Sequence, residues 1–252
     1  MIRYVAAHAA WDQRRREALA CILQVQPMVV LSSERREHAS IWAGRVWEQA
    51  ADFDGHTVIL NDDVILPPDF PAIVEALVEA VPDQPLSLCF TTPTLHEGPW
   101  VRSYHYTGPA VVLPPGAARD LLDYRATLPW WYVARINEDN LAAHWAWERQ
   151  RPFWCAIPSP VDHDTSVPST LGYDHHPNRR PHQVGARDSW TPNGDPPFVE
   201  CPWNTSSRLA AMMRILKHSY LCVMCLAREG IVGAGETRIC RMCFEGCKGA
   251  LS

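Results

Sequence analysis

The sequence predicts an α/β fold, with a Rossmann-like, mostly parallel central sheet flanked by helices and a small cysteine-bearing module after it. Three observations carry this. Strand and helix patterns alternate three times between Ile2 and Phe90, as a sheet covered by crossover helices requires. The chain has 252 residues, 47% of them hydrophobic, which is enough for one domain of ordinary size plus an appendage. Two Cys-x2-Cys pairs stand near the C-terminus, Cys222 with Cys225 and Cys240 with Cys243. The predicted division is a domain over residues 1–205 and a helix plus metal module over 206–252.

The elements follow in order. Residues 2–7 are a short apolar strand. Residues 11–24 form a helix with Ala18, Leu19, Ile22 and Leu23 on one face. A second apolar strand spans 27–31, and a second helix spans 38–50 with Ile41, Val46 and Trp47 toward the core. Thr57-Val58-Ile59-Leu60 is a third strand running straight into Asn61-Asp62-Asp63. Residues 68–80 are strongly periodic, with Phe70, Ile73, Val74, Leu77 and Val78 at helical spacing. A fourth strand covers 86–90. Residues 101–106, 110–113 and 153–157 read as strands, and 116–124 and 137–150 as helices. Nine of the 22 Pro fall between positions 158 and 205, and that stretch reads as loop. Residues 206–220 read as a basic amphipathic helix.

Net charge is -5, so bulk attraction to nucleic acid is excluded for the chain as a whole. Its last 47 residues (206–252) differ, with seven Lys and Arg against three Glu. That excess hints at a polyanionic partner, although four metal-bound thiolates on one zinc ion would cancel about two of its charges. No apolar run reaches the roughly 20 residues of a membrane span. Met1 leads directly into a strand, and the cysteines gather at metal-ligand spacing, which suits a reducing compartment. A cytoplasmic protein is expected.

The acidic end of the third strand is the most informative stretch. Ligands of α/β sheets sit at the carboxyl ends of strands. Two adjacent carboxylates delivered there repel each other, and a hard divalent ion between them and a phosphate relieves that. A solvated turn or a helix N-cap would also accommodate a bare Asp-Asp pair. The run Asn61-Asp62-Asp63-Val64-Ile65-Leu66-Pro67-Pro68-Asp69-Phe70 resembles the DxD region of GT-A glycosyltransferases. Later segments are similar to that family in the same order: the strand 108–114, the helix start Asn137-Glu138-Asp139-Asn140, and the segment 156–163 ending in His163. The resemblance covers residues 1–170.

That resemblance implies a GT-A fold and a metal-dependent glycosyltransferase using a nucleotide-sugar, UDP-linked by preference. Asn61, Asp62 and Asp63 would face the donor, with Asn in place of the family's first Asp. Asp63 and His163 would hold Mn²⁺ or Mg²⁺, and Asp62 would contact the ribose or sugar. Glu138 or Asp139 would take the acceptor's proton, giving inversion. On their own, acids in a first helical turn also offset the macrodipole.

Trp130 and Trp131 follow Pro129 just before those acids and could line an acceptor site, since sugars and bases stack on aromatic faces. Core packing is the alternative for most of the 11 Trp, Trp145 among them. The 174–182 loop carries Arg179 and Arg180 among three His residues and is a solvated loop, a clamp on the donor's phosphates, or a track for a polyanionic acceptor.

Cys222, Cys225, Cys240 and Cys243 offer two knuckles that complete a tetrahedron, a structural zinc site in a ribbon or treble-clef-like tail. Cys247 or His218 could replace one ligand. Such modules often contact nucleic acid or protein, which suggests an acceptor hydroxyl on a hydroxymethylated pyrimidine of phage DNA. Glycan, lipid and protein acceptors remain open. So does a catalytically inactive adaptor that binds nucleic acid through its tail. A nucleotidyltransferase would need a second acidic pair or a Gly-rich phosphate loop near the first strand, and neither is found.

Overall fold

The computed structural model describes residues 1–23, 25, 28–35, 39–92, 96–104, 109–133, 136–167 and 180–200, with only the backbone at positions 21, 40, 130 and 131. Cys222, Cys225, Cys240 and Cys243, where a zinc module is expected, and Cys247, His218, Arg179 and most of the 174–182 loop lie outside the described residues.

A seven-stranded sheet organises the domain in the order β2-β1-β3-β7-β5-β8-β6. Its strands are β1 (Ile2–Ala9), β2 (Met28–Ser33), β3 (His56–Asn61), β5 (Leu86–Ser87), β6 (Trp100–Ser103), β7 (Ala110–Leu113) and β8 (Phe153–Ala156). A separate two-stranded sheet pairs β4 (Val64–Ile65) with β9 (Asp162–His163). The helices are α1 (Gln13–Ile22), α2 (Ala39–Ala51), α3 (Phe70–Ala80), α4 (Ala117–Ala126), α5 (Trp130–Val133) and α6 (Glu138–Glu148).

Side-chain alternation along each strand divides the core into two layers. Tyr4 and Ala6 of β1, Val58 and Leu60 of β3, and Ala110 and Val112 of β7 join one cluster with Ile22 of α1 and Phe70, Ile73, Val74 and Leu77 of α3. Val5 and Ala7, Ile59, and Val111 and Leu113 face the other way, toward α2, α4 and α6 through Val46, Trp47, Leu121, Leu141 and Trp145. The sheet is thus sandwiched between helices, and its inner strands are apolar on both faces. Trp145 is fully buried, as expected, and its indole nitrogen donates to Asp120 at 2.9 Å.

The sheet is mostly parallel, as expected: β1, β2, β3, β5 and β8 run in one direction, while β7 runs antiparallel to both β3 and β5, and β6 runs antiparallel to β8. The two reversed strands and one helix face were not foreseen. An apolar run buried on both faces looks the same in either direction, so the pattern could not reveal the reversals. On α2, Ile41 is 41% exposed, and Ala43, Val46, Trp47 and Ala50 make the buried face instead. No helix among the described residues is long and apolar enough to cross a membrane.

Candidate active site at the carboxyl ends of β1 and β3

Parallel pairing of β1 with β3 sets Ala7 opposite Asn61, so both strands finish side by side. His8 and Ala9 at one end therefore meet Asp62 at the other. Asp62 is buried and accepts three hydrogen bonds: from the Ala9 amide at 2.7 Å, from His8 Nδ1 at 2.9 Å, and from Arg15 Nη1. Asp63 is also buried, and its Oδ2 accepts from Arg15 Nη2 at 2.9 Å and lies 3.1 Å from His163 Nε2. Asp63 Oδ1 is buried with no hydrogen-bond partner.

Three elements supply the partners. Asp12 caps α1 by accepting from the Arg14 amide at 3.0 Å, which fixes where the helix starts. Arg15 then falls on the same helical face as Leu19 and Ile22, and that face turns inward. His163 arrives through the small sheet, where Val64 pairs with His163 and the Asp164 amide donates to the Asp63 carbonyl at 2.7 Å. Asn61 is held in the sheet's margin by its amide, which donates to the Pro109 carbonyl at 2.8 Å.

The two carboxyls respond differently to their surroundings. Burial alone would raise both. At Asp63 the hydrogen bond and charge of His163, together with those of Arg15, outweigh burial and lower the carboxyl to about 2. At Asp62 burial prevails over Arg15 and the Ala9 amide, and the carboxyl is raised. The guanidinium stays charged, since the two carboxylates raise its pKa further.

Glu138 and Asp139 open α6 as its first two residues, after the N-cap position Asn137. Each residue is half-buried as a whole, yet Glu138 Oε2 and Asp139 Oδ1 are shielded from solvent and have no hydrogen-bond partner. Burial is the main cause of a large upward shift in both. Glu138 rises to about 8, with Asp139 and then Asp63 adding like-charge repulsion, and Asp139 rises to about 6. The favourable field of the helix N-terminus is worth at most about 2 kcal/mol and does not offset this. Together the pair therefore binds one proton at neutral pH. Because Asp63 contributes to the Glu138 shift, the strand end and the α6 start lie within one electrostatic field.

A stability prediction follows. A carboxyl whose folded pKa is raised stabilises the fold below its unfolded value, and loses that contribution as pH rises through the folded value. In EDTA, the melting temperature should fall between about pH 5 and 8 relative to a Glu138→Gln variant, whose profile should be flatter. Parallel profiles for the two proteins would show that Glu138 titrates normally.

Of the residues singled out from sequence, Asp62, Asp63 and His163 converge, and Glu138 shares their field. Arg180 grips the carboxylate of Asp162, the residue before His163 in β9, through two nitrogens, with Nε donating at 3.1 Å. Trp130 and Trp131 lie on α5, eight and seven positions before Glu138. The sequence reading missed His8 and Arg15. For Arg15 the helical phase relative to Leu19 and Ile22 was the available signal.

A divalent ion fits the donor set in part. Asp63 Oδ1 is an unused buried acceptor, and His163 Nε2 is a nitrogen donor beside the same carboxylate. No group of three His, Cys, Asp or Glu ligands is assembled among the described residues.

No family model matches the chain, and no curated protein matches it by sequence. Among solved structures, the chain is similar to the crystal structure of A197 from STIV, at 12% identity and a TM-score of 0.40, covering 74% of this chain and 96% of that one. It is also similar to a glycosyltransferase involved in the glycosylation of the major capsid of PBCV-1, at 13% identity and a TM-score of 0.34, covering 69% and 98% respectively. Likeness this distant carries no argument about activity, which has to come from the residues themselves.

Proposed function

We propose that the chain is a metal-dependent glycosyltransferase. It moves a sugar from a nucleotide-sugar, UDP-linked by preference, to an acceptor hydroxyl, with inversion. The observation that supports this most is the pairing of two acidic centres in one field. One is Asp63, with its unused buried oxygen beside His163. The other is the pKa-raised Glu138–Asp139 pair.

Asp63 and His163 hold Mn²⁺ or Mg²⁺, which supplies Lewis-acid stabilisation of the departing diphosphate when bound. Asn61 and Asp62 border the donor, with Asp62 fixed in advance by His8, Ala9 and Arg15. Arg179 and Arg180 serve the donor phosphates, Arg180 exchanging Asp162 for a phosphate oxygen. Asp139 takes the proton from the acceptor hydroxyl as its oxygen bonds to the anomeric carbon. The bond from that carbon to the diphosphate breaks, and its electron pair leaves with the nucleoside diphosphate. Glu138 keeps its own proton at neutral pH, which limits the negative charge around the base. Trp130 and Trp131 stack against the acceptor.

The acceptor in this reading is a hydroxymethylated pyrimidine in phage DNA. Support comes from the positive excess over 206–252 and the zinc ligands Cys222, Cys225, Cys240 and Cys243, which would hold a structural Zn²⁺. The direct test is mass spectrometry of hydroxymethylated DNA, glycans and other acceptors after incubation with mixed nucleotide-sugars and Mn²⁺. A hexose-sized mass gain on the DNA is expected. Gain on a glycan, lipid or protein instead would move the acceptor and keep the enzyme class. Deleting the residues after Tyr220 should raise KM for DNA and leave hydrolysis of the donor by water unchanged. Equal KM in the truncated chain would remove the tail from DNA recognition.

One observation favours a second reading, a catalytically inactive nucleic-acid-binding adaptor. Arg15 and His8 already engage the acidic pair, as a purely structural ion cluster would. A melting temperature unmoved by any nucleotide-sugar with Mn²⁺ would favour it.

A further inference from the structure

We infer that Arg15 is a built-in counter-ion that makes retention of a divalent cation at Asp63 conditional on a diphosphate. The inference rests on the metal assignment above. A cluster of two acids usually attracts a cation unaided, but here part of that attraction is already spent. Arg15 is 4% exposed, and it bridges the cluster with Nη1 on Asp62 and Nη2 on Asp63 Oδ2, 2.9 Å away. Asp62 has its remaining oxygen taken by His8 and the Ala9 amide. What is left for an incoming ion is Asp63 Oδ1, buried and without a partner, next to His163.

An ion at Asp63 Oδ1 sits on the same carboxylate as a permanent guanidinium charge, in a buried setting where water and salt screen little. A single half-compensated carboxylate and one imidazole are a weak site for Mn²⁺ against that repulsion. A diphosphate changes the balance. Its oxygens supply further ligands to the ion, and its negative charge faces both cations at once. The ion and the diphosphate each raise the other's affinity, by the same factor, since the coupling is reciprocal. Arg15 is accordingly a positioning residue that enforces joint binding and keeps a bare ion from occupying the site.

The experiment measures free Mn²⁺ by electron paramagnetic resonance in solutions of the full chain, with and without inorganic pyrophosphate. For the wild-type chain, Mn²⁺ alone should bind at least about tenfold more weakly than Mn²⁺ with pyrophosphate, after correction for the Mn²⁺–pyrophosphate complex in buffer. Arg15→Gln should tighten Mn²⁺ alone by about tenfold and shrink the pyrophosphate effect. Since that change leaves two buried carboxylates without their counter-ion, the paired variant Arg15→Gln/Asp62→Asn restores the charge balance and should show the same tightening. Asp63→Ala should abolish the site in every background. Equal wild-type affinity with and without pyrophosphate would overturn the role of Arg15 alone, as would unchanged Mn²⁺ affinity in the folded double variant. No binding sensitive to Asp63→Ala in any folded protein, with or without pyrophosphate, would overturn the metal assignment itself and the inference with it.

Discussion

Replacing Asp63 with alanine is expected to lower sugar transfer by about 10³-fold or more while leaving a folded chain, because metal-borne charge stabilisation supplies several kcal/mol to such a transition state and each 1.36 kcal/mol is tenfold in rate. The fold should survive because Asp63 belongs to the margin of the sheet and not to either apolar cluster. Its removal frees Arg15 Nη2 and His163 Nε2 of one partner each. Lost hydrogen bonds to charged groups cost about 1.5–3 kcal/mol each. Arg15 retains Asp62, which limits the loss. Circular dichroism and a melting curve check the fold, and radiolabelled sugar transfer checks the rate. A folded Asp63→Ala chain with wild-type transfer would remove Asp63 from the chemistry.

The second large effect concerns the start of α6. Asp139→Asn should lower kcat by about 10²–10⁴-fold with little change in donor KM, the signature of a lost general base. Glu138→Gln should cost less. With its carboxyl raised to about 8, Glu138 already carries a proton at neutral pH, and glutamine mimics that form. Asp139, raised only to about 6, is ionised at neutral pH yet basic enough to accept a proton. The wild-type rate should accordingly rise with pH through about 6, and Asp139→Asn should flatten that limb. A larger loss in Glu138→Gln would exchange the two roles. Unimpaired turnover in both variants would leave these acids as partners of the helix dipole and remove the support for inversion.

Much of the framework was legible because it rests on local periodicity. The spacing of Phe70, Ile73, Val74 and Leu77 gave α3, and all four are buried. The apolar run before Asn61 gave β3 and placed the acids at its carboxyl end. The return of His163 to the acids depends on pairing between Val64 and His163, nearly 100 positions apart, and local periodicity is silent about it. It came into view only through the resemblance to the ordered segments of a known family. The antiparallel direction of β7 was hidden because Ala110, Val111, Val112 and Leu113 are all buried, and a uniformly apolar strand carries no mark of its sense.

The acidic site itself was half legible. Residue types and order gave the carboxylates and the histidine. Their protein-borne counter-ion was not seen, because Arg14, Arg15 and Arg16 form a charge run of the kind that usually coats an exposed helix face. Only Arg15 of the three is buried. The sequence reading therefore took a metal ion to be what relieves repulsion between Asp62 and Asp63. In the folded chain Arg15 already relieves part of it, and this narrows the metal's place to the unused oxygen of Asp63.

Release of nucleoside diphosphate from UDP-sugars tests the central claim most directly, measured with purified chain in Mn²⁺ and again in EDTA. The account predicts slow release in Mn²⁺ that accelerates when a hydroxyl acceptor is added, stops in EDTA and returns when Mn²⁺ is restored. Release that continues unchanged in EDTA would contradict the metal-dependent mechanism, and no release from any nucleotide-sugar, with any acceptor, would contradict the glycosyltransferase reading itself.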